Sequence, residues 1–211
     1  MTWWAEVMQD DTYILVQDGW AVGCVIRELV KNADGKFSET PDITLGRRKL
    51  KAELIPPALI VARFFAAQQA ALEALEAKAE EAARAVEELD EELGGEDGLL
   101  NDAKTDKGKL TAKSVKDRTR DIRTNNDAGK ERAMLKTCLS VIEAAAEADA
   151  AVKAAQAALD AAVVAQYDKL SEYEVKALLV RDKWLARVQA DVLAEVNRVS
   201  QALAGRVNVL G

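Results

Sequence analysis

The chain has 211 residues, of which 49% are hydrophobic, 31% charged and 5% aromatic, and its net charge is −7. That apolar share excludes wholesale disorder, and three prolines with eleven glycines argue against a turn-dense all-β fold. The absence of histidine removes the commonest general base and metal ligand, and the net acidity leaves only local basic patches for contact with nucleic acid.

In chain order, the first 56 residues read as a small β-containing unit. Tyr13-Ile14-Leu15-Val16 is a β-favouring run closed by the turn signal Asp18-Gly19. Cys24-Val25-Ile26 with Leu29-Val30 forms a second run, and Ile43-Thr44-Leu45-Gly46 a weaker third. Asn32-Ala33-Asp34-Gly35-Lys36 between them is a turn sequence, because Gly takes positive φ cheaply and Asn and Asp bond back to the backbone. So few strands make little core alone. Trp3, Trp4 and Trp20 either pack within this unit or pack on a larger domain that adjoins it.

After Pro56-Pro57 the sequence turns helical, with proline tolerated in the first turn. Val61, Phe65, Leu72, Leu75, Ala79, Ala82, Val86, Leu89 and Leu93 recur in a 4-3 rhythm broken only at Gln68. That is a coiled-coil seam over residues 57–93, stopped by Gly94-Gly95. A second seam over residues 130–166 uses Leu135, Cys138, Ile142, Ala145, Val152, Leu159 and Val163, with breaks at Asp149 and Gln156. Thirteen of the 22 residues from Ala144 to Ala165 are alanine, which lets two helices approach closely. The two seams predict a long antiparallel helical hairpin.

The connector, residues 94–129, opens with the tight turn Gly94-Gly95-Glu96-Asp97-Gly98-Leu99-Leu100 and continues into a short helix from Thr111 to Arg123. Residues 104–123 carry eight bases against three acids, whereas residues 73–97 carry eleven acids against two bases. The hairpin therefore has an acidic shaft and a basic tip. Ser171-x-x-Glu174 is a capping box for a third helical region, expected to break near Val180–Asp182, where Asp182 would cap a fresh helix. The last helix carries Leu185, Val188, Val192, Val196, Val199, Leu203, Val207 and Leu210 on one stripe. The overall expectation is a mainly α chain. It has a small β-hairpin unit over 1–56 and a helical assembly domain over 57–211, made of the antiparallel coiled-coil hairpin and a long C-terminal helix.

No constellation in the sequence reads as an active site. Gly94-Gly95-Glu96-Asp97-Gly98 follows a helix and carries carboxylates that would repel phosphate. The acids of Glu87-Glu88-Leu89-Asp90-Glu91-Glu92 fan around a helix and make a solvated face, not a metal site. Cys24 and Cys138 have no adjacent base and form no C-x-x-C motif, so they read as free thiols of a reducing cytoplasm. No apolar run approaches the ~20 residues needed to span a bilayer. The start MTWWAEVMQDD lacks the basic region of a signal peptide. Catalytic, cofactor-binding and metal-binding residues are accordingly expected to be absent from this chain.

Two kinds of binding residue remain. The stripe positions Val192, Val196, Val199, Leu203 and Val207 are candidate partner contacts, either folding onto the hairpin or meeting helices of another chain. Arg47, Arg48 and Lys49, with Lys51 beside them, and Lys113, Lys116 and Arg120 at the tip are candidate phosphate contacts or simply solvated bases.

Several strings together resemble one family. Met8-Gln9-Asp10-Asp11-x-Tyr13, Asp18-Gly19-Trp20, Ala52-Glu53-Leu54-Ile55-Pro56-Pro57-Ala58-Leu59-Ile60-Val61-Ala62-Arg63-Phe64-Phe65, Gly94-Gly95-Glu96-Asp97-Gly98-Leu99-Leu100, Asp182-Lys183-Trp184-Leu185 and Asn197-Arg198-Val199-Ser200-Gln201-Ala202-Leu203 look like the C-terminal region of the DNA-methylation subunit of type I restriction–modification systems. The resemblance covers essentially the whole chain in the right order. It implies a parent subunit that is an S-adenosylmethionine-dependent adenine-N6 DNA methyltransferase, joined to a specificity subunit and, in the nuclease, to a restriction subunit. The parent's glycine-rich cofactor loop and Asn/Asp-Pro-Pro-aromatic motif have no counterpart here. The one Pro-Pro, in Leu54-Ile55-Pro56-Pro57-Ala58, lacks both the preceding acid or amide and the following aromatic. The chain thus reads as a C-terminal fragment lying past a methyltransferase domain, non-catalytic itself, docking on the specificity subunit and reaching DNA through the complex. A self-associating coiled-coil scaffold, or a DNA-binding module using the basic tip, are the alternatives.

Overall fold

The computed structural model describes residues 4–95, 98, 100–105, 107–123, 125 and 128–210, with the side chains of 207–210 excepted. Trp3, three positions of the expected 94–100 turn (Glu96, Asp97 and Leu99) and Asp106 of the basic connector lie outside the described residues. The chain is mainly helical, with one small antiparallel sheet near its N-terminus, and it divides into two compact units. One comprises Met1–Ala66 with Leu159–Gly211, the other Ala67–Ala158.

The first unit begins with a π-helical turn, Trp4–Met8, that runs into α1, Gln9–Asp18. This corrects the strand expected at Tyr13–Val16. Tyr13 and Val16 are exposed, so the β-favouring residues gain nothing from a sheet, while Asp11 in the first turn is buried and held from elsewhere in the unit. The Asp18-Gly19 signal works as a helix stop instead of a hairpin turn. Gly19 takes φ 72°, a left-handed conformation that favours glycine, and its N–H donates to Leu15 O at 2.9 Å.

A 3₁₀ turn, Trp20–Cys24, leads into strand β1, Ile26–Glu28. The expected turn at 32–36 is present. Gly35 N–H bonds to Asn32 O, and Lys36 N–H bonds to Asn32 Oδ1 at 3.0 Å. Strand β2, Ile43–Leu45, matches the third expected run. Strand β3, Arg48–Ala52, is central, with order β1-β3-β2 and both pairings antiparallel. In the sequence this segment shows only as a basic cluster. Its alternation puts Leu50 and Ala52 inward, opposite Ile43 and Ile26, and sends Lys49 and Lys51 outward beside Thr44 and Arg27.

Helix α2, Pro57–Phe64, starts at the second proline and buries Ile60. Phe65 then leaves helical geometry (φ −129°, ψ 23°), so the single helix expected over 57–93 is two, with α3 over Ala66–Leu93. Neither glycine nor proline marks this stop. The end of α5, Gly129–Tyr167, returns to this unit with Leu159, Val163 and Tyr167 buried. Tyr167 is wholly buried, and its hydroxyl donates to Ile55 O at 2.5 Å. That bond ties the end of α5 to the segment between β3 and α2.

Helix α6, Glu172–Lys176, carries the expected capping box, with Ser171 Oγ accepting from Glu174 N–H and Glu174 reaching back to Ser171 N–H. Val175 of α6 packs so closely on the 3₁₀ turn that a side chain at Gly23 would collide with it. The break expected near Val180–Asp182 is not there. A π-helical stretch, Ala177–Leu185, joins α6 to α7, Ala186–Leu210, without leaving helical backbone. Asp182 does not cap. It pairs with Arg63 at 2.8 Å and with Arg181 at 2.7 Å.

In the second unit α3 and α5 pair antiparallel. Along α3 the seam residues Leu72, Leu75, Ala79, Ala82, Val86, Leu89 and Leu93 are all buried or half-buried. On α5 the two seam breaks are healed by a one-residue slip: Ala148 and Ala155 are half-buried where Asp149 and Gln156 are exposed. The connector folds as a cap. Leu100, Ala103, Val115, Ile122 and Ala128 form one cluster with Leu135 and Cys138 of α5, with Leu93 packed against it. Helix α4, Ala112–Asp121, starts at a capping box made by Thr111 and Ser114.

Candidate partner-docking helix

Helix α7 is α-helical throughout, and from residue 189 onward all of its described side chains but Asp191 are exposed. Burial in this chain's own core therefore does not account for its described apolar residues. Val192 is 46% exposed, Val196 54%, Val199 43% and Leu203 58%; the side chain of Val207 lies outside the described residues. Leu185 is exposed and Val188 half-buried at the start of the same stripe. Leu193, not singled out from the sequence, is exposed beside it; its place next to Val192, one step off the stripe, was the signal. Intrahelical pairs hold the charged side: Arg187 with Asp191 at 3.0 Å and Glu195 with Arg198 at 2.6 Å. Arg198 holds the Glu195 carboxyl below its ordinary pKa.

The root of α7 is fixed by a polar knot that the sequence did not announce. Asp11, 8% exposed, receives Lys183 Nζ and Trp184 Nε1, each at 2.8 Å, and Lys183 also reaches Leu54 O at 3.2 Å. Lys183 and Trp184 sit in the π-helical stretch. A buried carboxylate with a cation and a neutral donor is satisfied on both oxygens. The shallow cleft of about 350 Å³ beside it is lined by Glu6, Asp10, Lys183 and Arg187 among others. It mixes both charge signs and converges on no point.

The candidate phosphate contacts fall in both units. In the first, Arg47 is exposed, Arg48 is paired with Glu28 at 2.8 Å, and the Lys49 ammonium stands 5.6 Å from the Phe37 ring centre. In the second, much of the basic tip is neutralised. Lys104 pairs with Asp90, Lys116 with Glu143, Arg118 with Glu131 and Asp102, and Arg120 with Asp117. Lys113 is exposed and makes no ion pair among the described residues. The net +5 read along residues 104–123 is thus offset in space by acids of α3, α5 and the connector itself.

Both thiols are held protonated. Burial pushes the pKa of Cys24 and of Cys138 up, and nearby carboxylates add to it. Among the described residues no group of three or more Cys, Asp or Glu side chains could hold a metal ion. No single described helix is long and apolar enough to cross a membrane. No protein-family model, curated protein or solved structure matches the chain.

Proposed function

We propose that the chain is a non-catalytic assembly region of a type I restriction–modification DNA adenine-N6 methyltransferase subunit, and that α7 docks on helices of the specificity subunit. The supporting observation is the stripe Val192–Val196–Val199–Leu203, left 43–58% exposed along a helix whose root is firmly anchored. Contiguous apolar surface on an ordered helix favours another helix as its cover. The sequence strings that resemble the methylation subunit name that cover. In this reading S-adenosylmethionine binds the parent subunit's methyltransferase domain, the restriction subunit joins through the same complex, and DNA is reached through the assembly in the cytoplasm.

The test is co-purification with a type I specificity subunit from the same genome. Val199→Asp with Leu203→Asp is expected to abolish capture while far-UV circular dichroism stays at the parent level. Undiminished capture by the double variant refutes the placement on α7.

A further inference from the structure

The apolar stripe of the last helix has a spacing that the docking role does not require. Leu185, Val188, Val192, Val196, Val199, Leu203, Val207 and Leu210 are separated by 3-4-4-3-4-4-3 residues. The unit is eleven residues, not seven: Leu185 to Val196 to Val207, Val188 to Val199 to Leu210, and Val192 to Leu203. An eleven-residue repeat has 3.67 residues per turn, slightly more than an unstrained helix, so it keeps its seam facing a partner with little supercoiling, and that little is right-handed. The stripe consequently runs nearly straight along α7 for about 38 Å.

That spacing is also a palindrome. Read from either end it gives the same intervals, so a second α7 laid antiparallel in full overlap meets the first at matching positions. Leu185 then faces Leu210, Val188 faces Val207, Val192 faces Leu203 and Val196 faces Val199.

The flanks discriminate orientation. One flank of the stripe is uncharged: Gln189, Leu193, Ser200 and Ala204. The other carries Arg187, Asp191 and Glu195 in its first half, net −1, and Arg198 and Arg206 in its second, net +2. In an antiparallel pair each flank faces its own copy, so the acids of one helix lie opposite the bases of the other, and the uncharged flanks meet. In a parallel pair the charged flank would face the uncharged one. From the palindrome, the exposure of its described members and this charge division, we infer that α7 pairs antiparallel with α7 of a second copy of this chain. The interface is isologous, and it covers the stripe when no other helix does.

The full chain tests this. Sedimentation at ~50 µM is expected to give a dimer, and Val199→Asp with Leu203→Asp to raise its dissociation constant about 100-fold or more, since four apolar contacts across the two-fold axis become buried charges. Orientation is read by disulfide trapping in a Cys24→Ser, Cys138→Ala background. Val192→Cys chains mixed with Leu203→Cys chains are expected to yield the mixed disulfide at least ~10-fold over either self-linked product, because only facing positions come within disulfide reach. These conservative variants keep the test independent of any folding defect in the Asp variants. A monomer at that concentration overturns the pairing, and predominant self-linking of Val192→Cys overturns the antiparallel arrangement. A monomeric chain that still captures the specificity subunit removes self-pairing and leaves the docking role standing. A stable dimer that no specificity subunit opens does the reverse.

Discussion

Tyr167→Phe deletes one oxygen from the centre of the first unit. The ring stays wholly buried, so packing is conserved, but Ile55 O loses the hydroxyl that donates to it at 2.5 Å. Ile55 is itself wholly buried, so water does not replace the donor. A buried carbonyl left without its partner costs roughly 1–3 kcal/mol. With a urea m-value of about 2 kcal/mol per molar for a domain of this size, the midpoint falls by about 0.5–1.5 M. The assay is tryptophan fluorescence, because the described tryptophans, Trp4, Trp20 and Trp184, all belong to the first unit. Far-UV circular dichroism, which reports every helix, supplies the comparison. The expected result is a fluorescence midpoint lowered by that amount with m unchanged. A midpoint within ~0.1 M of the parent would show that the hydroxyl contributes no stabilisation and that the link between α5 and the β3–α2 segment rests on packing alone.

Gly23→Ala is expected to destabilise the same unit by about 1–3 kcal/mol, since the added methyl meets Val175; Val175→Ala in the same chain recovers part of that loss, measured as coupling in a double-mutant cycle. Cys138 is buried with a raised pKa, so at neutral pH an aromatic disulfide reagent labels it only as fast as the second unit opens, and its rate follows urea concentration. Asp182 is held below the ordinary carboxylate pKa, chiefly by Arg181 and also by Arg63. Its contribution is therefore fully present above the unfolded value near ~3.9 and is lost as pH falls through the lower folded value. Asp182→Asn should flatten the acid limb of stability below about pH 4, and an unchanged slope there would remove the ion pairs from the account.

What the sequence determined by itself is what neighbours along the chain decide. The α3 and α5 seams, the stop at Gly94-Gly95, the capping boxes at Thr111 and Ser171 and the turn at Asn32–Lys36 are all set by residues within four or so positions of one another, where helical spacing and side-chain caps act. The stripe of α7 was legible for the same reason. Tertiary structure decided the rest, because the deciding partners are remote in sequence. Tyr13–Val16 is helical where Asp11 is pinned by Lys183 and Trp184. Arg48–Ala52 becomes a central strand only because β1 and β2 flank it. Asp182 faces Arg63 from 119 positions away, so the helix passes it without stopping. The basic tip looks strongly charged in one dimension and largely neutralised in three, since Asp90, Glu131 and Glu143 come from elements outside it. Charge counted along a chain is local, whereas the field that a ligand meets is summed over whatever the fold brings near.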